Sequence, residues 1–290
     1  MPSTTHRFCF VLGVIAAWPA MADSAGAMGG RTQVVALSFT LENPAARPLR
    51  DARFSVYGPL KRTATQELIA IDANYPFDTE TDRLGNQILV FHFPSVQPFA
   101  TKVLSIRAKL TKFGRPRPIE ASVPMQEFLA PEQYIEADAP DIQDTAAQLR
   151  RSDPSATAKE IQRWVGGHIL ESGYIAEDLG ALAALKTRRG DCTENAYLFA
   201  ALARANRIPA RVLGGFAVEA GRNPRMSEYH NWAEFNIDGV WRIADPQKKV
   251  FDAQRDSYVA FRIVSTRVAN SLGDAHRYSA SDGLVVREQQ

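Results

Sequence analysis

The chain changes texture along its length. From Thr32 to about Val123, apolar and polar positions alternate in short runs. Val34 to Leu41 stops at Glu42-Asn43-Pro44, Ala52 to Tyr57 stops at Gly58-Pro59, Ile88 to Phe93 follows Asp82-Arg83-Leu84-Gly85-Asn86, and Lys102 to Leu110 ends near Gly114. A period of two punctuated by Gly, Pro and Asn is the pattern of short strands with one buried face, and it predicts an antiparallel sandwich. Its His92 lies in a strand with no cysteine or acidic partner at metal-ligand spacing and reads as structural. Between Arg115 and Pro140, five prolines and several acidic residues interrupt any period and predict a stiff connector.

Helical spacing begins after it. Asp153-Pro154 places an N-cap before a proline at the first helical position, and Ile161, Trp164, Val165, His168 and Ile169 recur on one face until Ser172-Gly173. A second helix is predicted from about Cys192 to Ala205, with Ala196, Phe199, Leu202 and Ala203 on one side and a stop before Pro209. Ala210 to Phe216 reads as a strand followed by a polar loop, Gly221 to Glu228. Tyr229 to Ile237 and Val240 to Asp245 are strand-like and joined by Asp238-Gly239, a favoured two-residue hairpin turn. Tyr258 to Val264 predicts one more strand, and the tail from Asn270 to Gln290 a hairpin or loop closing the second domain.

Composition narrows the class without choosing a chemistry. With 290 residues, 45% hydrophobic and 23% charged, the chain has the make-up of a globular protein of one large or two modest domains. A net charge of +2 without a basic stripe gives no reason to expect nucleic acid as a partner. The N-terminus reads as an export signal: His6 and Arg7, then apolar Phe8 to Ala17, then the small-x-small triplet Ala20-Met21-Ala22. Cleavage near Ala22 predicts a secreted or periplasmic product. No later stretch approaches the roughly 20 apolar residues of a spanning helix, so stable membrane insertion is not expected. The expected organisation is a signal peptide at 1–22, a sandwich at 31–125 and a second domain at 126–290.

Export changes the meaning of the cysteines. Cys9 falls inside the signal, which leaves Cys192 alone, and an odd cysteine outside the cytoplasm is either an intermolecular partner or a reactive thiol. At a helix start, N–H groups and partial positive charge are expected to lower its pKa. The competing reading is an inert buried cysteine.

The hairpin supplies partners. With Ile237 opposite Val240, Asp245 falls opposite Trp232 and His230 opposite Gln247. His230 and Asp245 are then diagonal neighbours on one face, with alpha carbons roughly 7–8 Å apart. Thiol, imidazole and carboxylate are the parts of a nucleophilic site in which His230 is the base for Cys192 and Asp245 orients the ring. Backbone N–H groups at the helix start would hold an oxyanion, with Tyr174 as a further donor or a packing residue. Trp232 and Trp241 fit either a cleft lining or sheet packing. Cys192, His168, His230 and His276 form no short-spaced ligand pair, so no metal and no cofactor is expected.

Five short motifs in order, Gly190-Asp191-Cys192-Thr193-Glu194, Ile208-Pro209-Ala210-Arg211-Val212, His230-Asn231-Trp232, Asp238-Gly239-Val240-Trp241 and Asp245-Pro246, resemble the transglutaminase-like superfamily, the circularly rearranged relatives of papain. The resemblance spans roughly Asp141 to Asp252. It implies an α+β papain-like core after the all-β sandwich, with Cys192 as nucleophile, His230 as base and Asp245 as orienting acid. It also implies peptidase, amidase or acyl-transfer chemistry on a peptide, protein or amide substrate. Asn231 departs from the small residue usual between His and Trp. It points to the face opposite His230, where it is expected to affect packing or substrate choice. The alternative is a non-catalytic module that keeps the fold to bind a peptide or cell-wall component.

Overall fold

The computed structural model describes residues 30–288 apart from 121, 220, 221, 274 and 276, so the expected export signal at 1–22 lies outside the described residues. Six strands come first: β1 (Arg31–Glu42), β2 (Leu49–Gly58), β3 (Gln66–Ala73), β4 (Asp78–Thr81), β5 (Gln87–Val96) and β6 (Thr101–Lys112). Helices α1 (Pro140–Leu149) and α2 (Pro154–His168) follow, then β7 (Leu170–Glu171), α3 (Ala181–Thr187), β8 (Arg189–Gly190) and α4 (Cys192–Ala205). The chain continues through β9 (Ala210–Ala217), β10 (Tyr229–Ile237), β11 (Val240–Asp245), β12 (Val250–Phe251) and β13 (Tyr258–Val264), and closes with β14 (Tyr278–Ala280) and β15 (Val285–Glu288). The architecture is α+β, an all-β sandwich joined to a unit of helices packed on an antiparallel sheet.

The alternating strands pack as predicted into two antiparallel sheets, ordered β15-β1-β6-β3 and β14-β2-β5-β4. Their inward residues, Phe39, Leu41, Phe54, Phe91, Leu104 and Leu110, are each completely buried, and Phe39 meets Phe54 with ring centroids 5.0 Å apart. Strands β3 and β4 were not anticipated, because both lie at sheet edges. Strand β4 is exposed throughout, and a register shift at Leu68–Ala70 breaks the alternation of β3.

The C-terminal tail differs from expectation. It does not close the second domain. Strand β14 pairs with β2 and β15 with β1, adding one strand to each sandwich sheet. The sandwich is therefore made from both ends of the chain, with the second unit inserted between them.

That unit is a five-stranded antiparallel sheet, β12-β11-β10-β9-β13, with α4 laid on one face and α1, α2 and α3 around α4. Every residue of α4 from Thr193 to Arg204 is buried, so the helix is enclosed on all sides and not only along the predicted apolar face. The β10–β11 hairpin has the predicted register, from Ile237 opposite Val240 to Ala233 opposite Ala244. Asp238 (φ +53°) and Gly239 (φ +81°) both adopt the positive φ that a type I′ turn requires.

The two units share a core. Phe216, Val218, Val259 and Phe261 of the second unit pack into the apolar cluster of the sandwich. The outer edge of β13, which no further strand covers, is met by sandwich side chains. Gln66 bonds both the N–H and the carbonyl of Ala260 (2.9 Å each). Asn86 does the same for Ile263 (2.6 and 3.0 Å). Side-chain amides stand in for a neighbouring strand and satisfy an edge that would otherwise pair with another chain.

Candidate active site

The first turn of α4 is built by a capping box. Asp191 Oδ1 accepts from the Thr193 N–H (2.7 Å) and Glu194 Oε2 from the Asp191 N–H (3.1 Å), which orients the N–H groups of the helix start around Cys192. Gly190 must precede this box: a Cβ there would stand 2.5 Å from that of Glu194. The same carboxylates reach outward, Asp191 Oδ2 accepting from the Ile175 N–H (3.0 Å) and Glu194 Oε1 from the Leu179 N–H (3.1 Å). They tie the segment 172–180 over the cysteine. Burial pushes the Glu194 carboxyl up to about 7 against the pull of those two N–H donors. The Asp-x-x-Glu spacing was visible in the sequence, but the second use of both carboxylates was not.

Cys192 is half-buried. It opens on a cleft of about 360 Å³ lined by Tyr174, Ile175, Asp178, Met226, Tyr229 and Asn231 among others. Burial pushes the thiol up to about 11; the Asn231 backbone N–H and the Thr193 side chain act in the opposite direction, and the Asp191 charge adds to the rise. The expectation of a lowered pKa at a helix start is thus reversed, because desolvation outweighs the Asn231 and Thr193 hydrogen bonds.

His230 and Asp245 are buried and joined directly, Nε2 to Oδ2 at 2.6 Å. Asp245 is saturated with donors: the Tyr258 hydroxyl also reaches Oδ2 (2.7 Å) and the Lys248 N–H reaches Oδ1 (3.0 Å). Burial works to raise the Asp245 carboxyl, but the His230 bond and charge, with the other two donors, hold it below the usual carboxylate range. Gln162 on α2 fixes the backbone beneath, its amide donating to the carbonyls of Asp245 (2.8 Å) and Val250 (3.0 Å). Trp232 lies nearly parallel to the His230 ring, 19° off at 6.4 Å, and meets Tyr258 edge-on at 5.1 Å.

Strand β10 carries both the His230 ring and a backbone N–H directed at the thiol. The Asn231 backbone N–H that serves Cys192 adjoins His230 in the chain, and Asn231 Nδ2 donates to Thr193 Oγ1 (2.9 Å), anchoring the strand to the helix start. Among the described residues the thiol makes no hydrogen bond to the imidazole. With Nε2 engaged by Asp245, Nδ1 is the ring nitrogen left to face a thiol.

Other expectations sort cleanly. Tyr174 does not pack; it is 83% exposed on the lip of the cleft. Trp232 and Trp241 are each 1% exposed and are packing residues. Trp241 carries the Arg211 guanidinium 4.1 Å from its ring centre, and Arg211 pairs with buried Glu234 (2.6 Å). His168 sits at the end of α2, stacked on Trp164 at 4.1 Å. His276 lies outside the described residues. Tyr258 and Gln162 were missed by the sequence reading, since each acts through a contact that no local pattern announces.

Residues 143–246 match the family model of the transglutaminase-like superfamily, so the chain carries a transglutaminase-like domain in its second unit. Among solved structures, a candidate cysteine protease from Cytophaga hutchinsonii shares this fold with a TM-score of 0.60 and 17% identity, over 92% of each chain. The periplasmic domain of TgpA from Pseudomonas aeruginosa, bound to ethylmercury, matches with a TM-score of 0.38 and 19% identity, over 74% of this chain and 90% of its own. No curated protein matches the chain.

Proposed function

We propose that this protein is an exported thiol hydrolase that cleaves a peptide or amide bond through Cys192, His230 and Asp245. The observation that carries the reading is the buried 2.6 Å His230–Asp245 bond on the strand whose next N–H serves the thiol of Cys192. A raised thiol pKa calls for a base at the moment of attack, and His230 supplies it. Nδ1 takes the proton from Sγ as sulfur adds to the substrate carbonyl, and helix-start N–H groups receive the oxyanion. The C–N bond then breaks, the departing amine takes the proton from Nδ1, and a thioester remains. Water, deprotonated by the same nitrogen, hydrolyses the thioester and restores the thiol. Asp245 holds the ring and stabilises the imidazolium throughout.

Transfer of the acyl group to an amine uses the same thioester intermediate and is the competing outcome at this site. Enzyme mixed with a glutaminyl peptide and a labelled amine separates the two: the expected result is free acid without amine incorporation, abolished by Cys192→Ala. Peptide binding with no Cys192-dependent turnover of any peptide or amide would favour the binding-module alternative. The export part rests on the N-terminal pattern of residues 6–22, and mass spectrometry of the extracytoplasmic protein is expected to find a mature N-terminus near Asp23.

A further inference from the structure

Tyr258 opens strand β13 and is buried. Its hydroxyl donates to Asp245 Oδ2 at 2.7 Å, the same oxygen that meets His230 Nε2. Its backbone carbonyl accepts from the ammonium of Lys112, the last residue of sandwich strand β6. Two and five residues further on, Ala260 and Ile263 are clamped by the amides of Gln66 and Asn86, with four hydrogen bonds between 2.6 and 3.0 Å. These side chains belong to the sandwich. The strand that presents the Tyr258 hydroxyl is therefore held by β9 on one edge and by the other unit on the opposite edge.

We propose that Tyr258 is a positioning residue for the Asp245–His230 pair, and that the sandwich, through Lys112, Gln66 and Asn86, sets where its hydroxyl lies. This rests on the reading of His230 as the base. A second donor on Oδ2 fixes the carboxylate rotamer and withdraws part of its charge from the imidazole. Without the hydroxyl, the carboxylate holds the imidazolium more tightly and the ring gives up its proton less readily. The ionisable groups facing Asp245 are His230 from β10, Tyr258 from β13 and Cys192 from α4. From helix α2 the Gln162 amide meets the Asp245 backbone carbonyl, and Lys248 gives its backbone N–H to Oδ1.

The test is an NMR titration of the His230 ring in the full chain, for the wild type, Tyr258→Phe and Lys112→Met. It needs no substrate. Tyr258→Phe keeps the ring that packs on Trp232 and is expected to raise the His230 midpoint by about one pH unit. Lys112→Met is expected to shift it in the same direction by less. A wild-type midpoint in Tyr258→Phe overturns the positioning role. A shift in Tyr258→Phe with none in Lys112→Met overturns the part given to the sandwich. Should Tyr258→Phe not fold, the Lys112→Met titration decides alone: a rise supports the proposal and an unchanged midpoint overturns it. Failure of the hydrolase reading is separate, since it would be seen as the absence of Cys192-dependent release of free acid from any peptide or amide.

Discussion

The sandwich and the unit inserted into it bury polar groups for different purposes. In the sandwich, three of the buried polar side chains, Gln66, Asn86 and Lys112, reach out to strand β13 of the other unit. Its own interior is apolar, built on Phe39, Phe54 and Phe91. In the inserted unit the polar groups lie inside: Asp191, Glu194, His230, Asn231 and Asp245 are buried, as are the Arg211–Glu234 and Arg204–Glu132 pairs. A buried polar group is costly unless every hydrogen bond is made, so a region that concentrates them has its geometry specified tightly. One unit supplies apolar stability and a grip; the other turns part of its stability into a defined arrangement of ionisable atoms.

The contrast can be broken by crossing two substitutions. Asp245→Asn is expected to lower turnover by about 10⁴-fold in steady-state kinetics with the fold retained, because the ring loses its orienting anion. Phe39→Ala is expected to do the reverse. It should cost about 3–5 kcal/mol of stability in a denaturant melt and leave the per-molecule rate of the folded enzyme unchanged. If Phe39→Ala also moved that rate at temperatures where the chain is folded, the division of labour would not hold.

A smaller effect sharpens the description of the thiol. With Cys192 pushed up to about 11 by burial, the protonated form dominates at neutral pH. Only the thiolate attacks iodoacetamide, so the alkylation rate is expected to climb about tenfold per pH unit from pH 7 toward that value. A plateau reached by pH 7 would mean that the helix start and His230 ionise the thiol at rest, against the desolvation argument.

A pH-dependent effect belongs to the grip. Burial lowers the Lys112 ammonium from 10.5 to about 7. Between those values the unfolded chain binds the extra proton and the folded chain does not, so this group makes stability rise with pH from about 7 to about 10.5. Below pH 7 its penalty is present in full. Lys112→Met is therefore expected to flatten the pH dependence of the melting curve in that window, and to stabilise the chain more at pH 6 than at pH 10.

The order of elements was legible where the pattern is local. The four inner sandwich strands, helix α4, the β10–β11 hairpin and β13 all follow from alternation, capping residues and the Asp238-Gly239 turn, which act between near neighbours in the chain. The hairpin register was enough to make His230 and Asp245 neighbours, and the two do share a hydrogen bond. Edge strands β3 and β4 and the short helix α3 were not legible, because β4 is exposed throughout and β3 and α3 are short with only a few buried positions and no sustained period.

What the sequence determined by itself is the set of chemically able side chains and the local segments that carry them, since both depend on residue type and short spacing. Tertiary structure alone decided that the C-terminal strands return to the sandwich and that desolvation raises the thiol of Cys192. It also brought the hydroxyl of Tyr258 to Asp245 while Lys112 holds the same tyrosine's carbonyl. Those facts arise from contacts between residues up to 249 positions apart, as Phe39 of β1 is from Glu288 of β15, and from burial, which belongs to the packed whole.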